Sequence, residues 1–222
     1  RGLGGLTLRA GLLTVCDYSD HMLSVKVADG DIQIRAGTGA RGTVDGAADA
    51  AMYNWPYGSD ADGAGNVFVA EYYGHAIRKL DRADVTSSVA GTGLLGSNDH
   101  AVGIMAQFDH PGCVTVGPND YLFVTERTGH RLRLIAPDGF VSTLLSGAGA
   151  IDDSMDVAIH PTSGDIIVAA TSLQQIHAYQ VSPAAPTASP TAPVVAAETF
   201  VAGQVGVPGS AIEGTRTIAR LS

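Results

Sequence analysis

Lysine is almost missing. Of the 13 basic residues in this 222-residue chain only Lys26 and Lys79 are lysines, against 22 acids and a formal net charge of −9. Such a surface repels a phosphate backbone unless its arginines cluster, and it carries no polybasic patch for an anionic membrane. Nucleic acid is therefore not an expected partner. Cysteine is scarce too: Cys16 and Cys113 make neither a disulfide framework nor a metal-ligand spacing. Cys16 lies in a strand-like run and Cys113 follows Pro111-Gly112, so both read as small buried core residues. No segment reaches the roughly 18–20 unbroken apolar residues of a membrane span, and no membrane insertion is expected. The sequence opens on "RGLGGLTLRAG", without an initiator methionine or a basic-then-apolar leader, which reads as a mature or trimmed piece of something longer. Helical periodicity of useful length is also absent. What remains is 45% apolar residues, 16% charged residues and 28 glycines, the composition of a turn-rich globular chain.

Those glycines recur at intervals. "AGTG" stands at 36–39 and again at 90–93, "SGAG" at 146–149 and "AGQVG" at 202–206, so that Gly37, Gly91, Gly147 and Gly203 are 54, 56 and 56 residues apart. This period is too long for a helical solenoid unit and suits four short strands with turns. One unit shows the pattern plainly: "VFVAE" at 67–71, the turn "YYGH", "AIRKL" at 76–80, the turn "DRAD", then "VTSSVAG" at 85–91. The next unit repeats it as "YLFVTE", "RTGH", "RLRLI", "APDG" and "FVSTLLSG". Apolar or alternating runs bounded by glycine, asparagine and aspartate are strand and turn chemistry. The fold class expected is all-β, a β-propeller of four-stranded antiparallel blades, because such flat apolar faces are buried only against neighbouring blades. The expected blades are approximately 1–52, 53–108, 109–149 and 150–222. The last carries a Pro/Ala/Thr-rich insertion at 182–197 in place of a tight hairpin turn.

"VFVAEYYGHAIRKLD…VTSSVAGTG", followed by Ala106, Phe108 and Pro111, resembles the NHL repeat, in which a strand ending in an acid meets a turn ending in histidine and an Ala-Gly-x-Gly marker follows. The resemblance covers practically the whole chain, with four copies in register. It implies a propeller that is commonly six-bladed, so that a protein partner or further blades would meet the open edges. It also implies that some relatives are lyases or lactonases with a metal in the central channel, and that others, joined to tripartite-motif domains, bind RNA through a basic face. In the fourth copy the acid position holds Ala170 and the histidine position Gln174.

The repeated acids are Asp17, Glu71 and Glu126, and the repeated histidines are His21, His75 and His130, each pair four residues apart across a turn. As ligands they would have to converge on one ion, yet equivalent positions of adjacent blades spread around a ring. They are assigned to structure: the acid accepts hydrogen bonds from the turn and the imidazole bridges to the next strand. "AGTG" is a turn, since neither Gly-Lys-Ser/Thr nor a helix follows it. The acids of "DGAADAAM" (45–52) and "SNDHAVG" (97–103) sit on long loops without the spacing of an EF-hand calcium site. No nucleophile elbow or His-Glu-x-x-His motif occurs. Catalytic residues, metal ligands and cofactors are accordingly assigned none. Trp55, before Pro56, is read as a core anchor between blades. Tyr72 and Tyr73 in their turn, with Arg127 and Arg131 at or near the corresponding turn of the next blade, form a candidate contact patch, because aromatic rings and arginine dominate interface hot spots. The expected function is a non-enzymatic interaction or scaffold module, with the metal-dependent propeller enzyme as the alternative. The Ser-Pro/Thr-Pro tract resembles stalks of secreted or cell-wall proteins and leans towards an extracellular or cell-surface address, whereas two unpaired thiols weigh against it.

Overall fold

The structure is a computed structural model, and it describes residues 2–9, 12–26, 32–147, 151–170, 175–182, 194–202 and 215–216. Among them the regular elements are strands, apart from two one-turn 3-10 segments at Gly103–Met105 and Pro118–Asp120. The first blade is β1 (Leu3–Arg9), β2 (Leu12–Asp17), β3 (Met22–Lys26) and β4 (Ile32–Ala36). A two-residue strand, β5 (Gly46–Ala47), leaves the connection that follows. The second blade comprises β6 (Pro56–Ala61), β7 (Val67–Glu71), β8 (Ala76–Leu80) and β9 (Val85–Ala90), with β5 added outside β9. The third is β10 (Pro111–Val116), β11 (Leu122–Glu126), β12 (Arg131–Ile135) and β13 (Val141–Ser146). The fourth is β14 (Ser154–Ile159), β15 (Ile166–Ala170), β16 (Gln175–Ser182) and β17 (Val194–Ala202), edged by β18 (Thr215–Arg216). All strand pairs are antiparallel, and apart from β5 each strand lies beside its predecessor within its blade. The molecule is a propeller of four antiparallel blades.

The blades also repeat in their irregularities. The first strand of each slips register against the second, between Leu3/Leu6, Pro56/Ser59, Pro111/Cys113 and Ser154/Asp156. The third slips against the fourth at Leu23/Ser24, Ile77/Arg78, Leu132/Arg133 and Ile176/His177. Such bulges sharpen the twist of a sheet. In the fourth blade β16 and β17 pair from Ile176↔Ala202 to Ser182↔Val194. The Pro/Ala/Thr-rich stretch therefore joins two adjacent antiparallel strands; Ser182 and 194–197 belong to them, and 183–193 lie outside the described residues, as does Gln174.

Among the described residues no blade has a core of its own; each core cluster is a junction. Cys16, Leu23 and Ala36 of the first blade pack with Ala61, Val67, Val69 and Leu80 of the second. Ala70, Ile77 and Ala90 of the second meet Val114, Leu122, Val124 and Ile135 of the third. Phe123, Leu132 and Leu134 of the third meet Val157, Ile166, Val168 and Tyr179 of the fourth. The first strands β1, β6, β10 and β14 lie side by side along the axis. Glycine permits the approach: a Cβ on Gly58 would sit 2.6 Å from the Gly112 carbonyl oxygen and 2.7 Å from the Cys113 Cα.

Candidate functional site

The turns β2–β3, β7–β8 and β11–β12 end in His21, His75 and His130, at φ of 54°, 48° and 48°. A single left-handed residue closes such a turn, and histidine is among the side chains that tolerate that conformation better than most. From there each ring reaches the next blade. Nδ1 of His21 accepts the Trp55 N–H at 3.3 Å, Nδ1 of His75 the His110 N–H at 3.4 Å, and Nδ1 of His130 the Asp153 N–H at 3.2 Å. Those donors are the residues just ahead of β6, β10 and β14, and they too are left-handed, at φ of 57°, 53° and 47°. At His21 and His75 an accepting Nδ1 goes with a neutral ring whose proton is on Nε2, whereas the His130 Nδ1 also lies 3.1 Å from Asp152 Oδ1. Burial lowers the His75 pKa, with His110 adding to the effect, and burial followed by Arg41 lowers that of His21. The marker glycines abut the same histidines: a Cβ on Gly37 would lie 2.7 Å from the His21 carbonyl oxygen, and Gly147 N–H donates to that of His130 at 3.2 Å.

The acids divide into two kinds. Asp17 accepts the Ser19 and Asp20 N–H groups of its own turn at 3.1 and 3.0 Å. Glu71 and Glu126 are wholly buried and face arginines that are wholly buried as well. Glu71 Oε1 takes Arg78 at 2.6 Å, while Arg78 also donates to the Met52 carbonyl at 3.1 Å and to Asp45 Oδ1 at 2.7 Å. Glu126 Oε1 takes Arg133 at 2.5 Å, and Arg133 donates to the Gln107 carbonyl and to Asp99 Oδ1, both at 2.8 Å. Thr43 Oγ1 adds a bond to Glu71 Oε2 at 2.8 Å. The loop acids Asp45 and Asp99, weighed above for calcium, therefore reach into the following blade and are held by Arg78 with Ser88, and by Arg133 with Thr143. Burial pushes the Glu71 carboxyl up to about 7, outweighing Arg78, and it raises Glu126 likewise against Arg133. Arg78 and Arg133 were not singled out in the sequence. Their signal is the spacing: Glu71 pairs with Ala76 and Arg78 with Val69, so acid and arginine sit diagonally on one face of the hairpin. At the same register the fourth blade has buried His177, opposite Val168.

An aromatic cluster occupies the turn side of the first two blades. The Tyr72 and Tyr73 rings meet edge-on with centroids 4.9 Å apart. Trp55 stands 4.8 Å from Tyr73, Tyr57 6.0 Å from Tyr72, and His110 4.7 Å from Tyr72. Tyr18 stacks on Trp55 at 5.1 Å and on Tyr57 at 5.6 Å. Tyr73 is the most open of these, 39% exposed, and the Arg41 guanidinium lies 5.6 Å from its ring centroid. Arg127 is bonded to Asp153 Oδ1 at 2.7 Å, which raises its pKa, and its backbone N–H donates to the carbonyl of His110 at 3.0 Å. Arg131 is elsewhere: it donates to the Gly129 carbonyl at 2.9 Å and leans on Glu126 Oε2 at 3.4 Å. The structure thus brings Tyr72 and Tyr73 together, ties the Arg127 side chain to Asp153 beside them through His110, leaves Arg131 with the buried acid, and adds Tyr18, Trp55, Tyr57, His110 and Arg41 to the rings. The repeat could have found Tyr18, which precedes Tyr72 by 54 positions in the same turn.

Cys16 and Cys113 are free and buried; burial pushes the Cys16 thiol up to about 12 and raises that of Cys113. Neither is a nucleophile in this setting. Among the described residues no group of three or more His, Cys, Asp or Glu side chains is placed to hold a metal ion.

No family model and no curated protein matches this sequence. Solved structures do match. The chain is similar to a gluconolactonase from Xanthomonas campestris, with 14% identity, a TM-score of 0.61, and coverage of 81% of this chain and 58% of that one. It is similar to a catalytically inactive virginiamycin B lyase from Staphylococcus aureus solved with quinupristin, with 16% identity, a TM-score of 0.57, and coverage of 90% and 63%. A chain of the nidogen/laminin complex gives 14% identity, a TM-score of 0.58, and coverage of 81% and 59%. At these identities the likeness establishes the β-propeller fold, and the chain spans 58–63% of the length of these three.

Proposed function

We propose that this chain is a protein-interaction module built on an NHL-type propeller, and that its contact site is the aromatic face around Tyr72 and Tyr73. The observation that carries the reading is the gathering of Tyr18, Trp55, Tyr57, Tyr72 and Tyr73 on one side, with Tyr73 open to solvent beside Arg41. Rigid rings flanked by arginine are the side chains that carry most binding energy at protein interfaces. Catalytic roles are left unassigned, because the acids, histidines and thiols described above are committed to turns, buried ion pairs and junction cores.

The test is a selection of displayed peptides on the folded chain. Binders are expected to lose at least about tenfold in affinity for Tyr73→Ala, the loss of a hot-spot ring, while the thermal melt stays unchanged. Binders indifferent to Tyr72, Tyr73 and Arg41 would remove this assignment. The second reading, a propeller enzyme with a divalent metal in the channel, draws on the gluconolactonase and the virginiamycin B lyase among the similar structures. Stoichiometric divalent metal retained by the purified chain would favour it over the first.

A further inference from the structure

Proline is unevenly placed in this chain. Four of its ten prolines, Pro183, Pro186, Pro190 and Pro193, fall in the eleven-residue connection between β16 and β17, where they spell Pro-x-x-Pro twice. Sequences of this kind favour the polyproline II helix, which has three residues per turn and no internal hydrogen bonds. Every carbonyl of such a segment is an open acceptor, and its prolines dock into grooves lined by aromatic rings.

The aromatic face offers the matching half. Tyr18 stacks on both Trp55 and Tyr57, at interplanar angles of 25° and 23°. Tyr72 tilts against Trp55 and Tyr57, and Tyr73 meets Trp55 edge-on. The first four rings are half-buried and the fifth is exposed. Among the described residues the hydroxyls of Tyr18, Tyr57 and Tyr72 and the Trp55 indole N–H make no hydrogen bond to the protein, and none of these atoms is buried. Four donors thus stand open on a surface of rings. The tract is uncharged from Ser182 to Ala197, which suits such a surface.

We infer that the aromatic face binds the proline-rich tract of a second copy of this chain, in the polyproline II form. This rests on the contact-site reading above and names its ligand. Topology excludes the chain's own tract. β16 and β17 are the third and fourth strands of their blade, so their connection leaves the end of the sheet opposite to the turns that carry Tyr18, Tyr72 and Tyr73. Anchored at the paired residues Ser182 and Val194, eleven residues doubled back on themselves reach about 17 Å in polyproline II. The eight residues of β16 alone span about 26 Å. The tract is too short to climb its own blade, whereas that of a neighbouring copy meets the ring face directly. The contact joins different faces of the two copies and is head-to-tail.

Trp55 is the only tryptophan, and the tract has no aromatic residue, so the face reports on its own ligand. The folded chain is titrated with a synthetic peptide of residues 182–196, following Trp55 emission and the anisotropy of a labelled peptide. Saturable binding is expected, weakened about tenfold or more by Tyr73→Ala in the chain or by alanine at all four prolines of the peptide. Tyr72→Phe with Tyr73→Phe replaces Tyr73→Ala if that variant lowers the thermal melt. In sedimentation the chain should associate as its concentration rises, and should cease to do so with Pro183→Ala, Pro186→Ala, Pro190→Ala and Pro193→Ala combined. A peptide that leaves both signals unchanged, or binds regardless of its prolines or of Tyr73, would overturn the inference. Displayed binders that still depend on Tyr73 would then leave the contact-site reading standing. Peptide binding without association of the chain would overturn it in favour of a proline-rich segment of another protein. Association that survives the four replacements would overturn it by placing the contact between copies elsewhere.

Discussion

His75 holds a left-handed backbone angle and, from that angle, accepts a hydrogen bond from the His110 N–H just ahead of the next blade. The two roles are separable. Glycine adopts φ of 48° freely but offers no acceptor, and alanine supplies neither. His75→Ala is expected to cost about 1–3 kcal/mol, the sum of a lost hydrogen bond and left-handed strain, and His75→Gly less, both read by chemical denaturation. A histidine whose folded pKa lies below its ordinary 6.5 gives stability that is fully present above 6.5 and is lost as pH falls through that value. Wild type should therefore lose stability relative to His75→Gly as pH drops below 6.5; parallel pH profiles would deny the ring its role. At this scale the sequence displayed the acid and the histidine, because a fixed spacing repeated three times is visible in letters. It hid the arginine, because Arg78 in a strand of alternating character reads as an outward-facing residue until the hairpin is folded.

Hairpins and their order are written openly in the alternation of apolar runs with turn residues, since a two-residue side-chain period and left-handed corners leave little choice. The two-residue strands β5 and β18 are not, because pairs that short have no period. Nor is the close packing of first strands. A glycine in a strand reads as a weak point, whereas Gly58 is where the second blade touches the third. A methyl there would press on the Gly112 carbonyl and Cys113 Cα. Gly58→Ala should therefore cost about 1–3 kcal/mol through overpacking, while Gly63→Ala, with nothing within 4 Å of the added carbon, should be near neutral. Equal urea midpoints for the two variants would show that the blades separate without penalty.

In the whole molecule, stability is stored between blades, so a blade with two neighbours is held more firmly than one with a single neighbour. Native-state hydrogen exchange should be slowest in β7, β8, β11 and β12 and faster in β2, β3 and β15, although every blade has the same strand order. Uniform protection across the four blades would mean that folding is cooperative beyond nearest neighbours. The radial arrangement was legible because every copy wrote its apolar strands alike. The aromatic face was legible only in part, because its rings come from two blades and the connection between them, and no local pattern joins Tyr18 to Trp55 and Tyr72.

The loop ties carry a mechanical consequence. Asp45 and Asp99 fasten the first two connections to the blade ahead, and His21, His75 and His130 fasten three turns to the strand that follows. Tension applied at one terminus would load these fastenings one after another instead of all together. Each yielding step would free one blade, on the order of 140–190 Å of extended chain, so that the molecule lengthens blade by blade under pull.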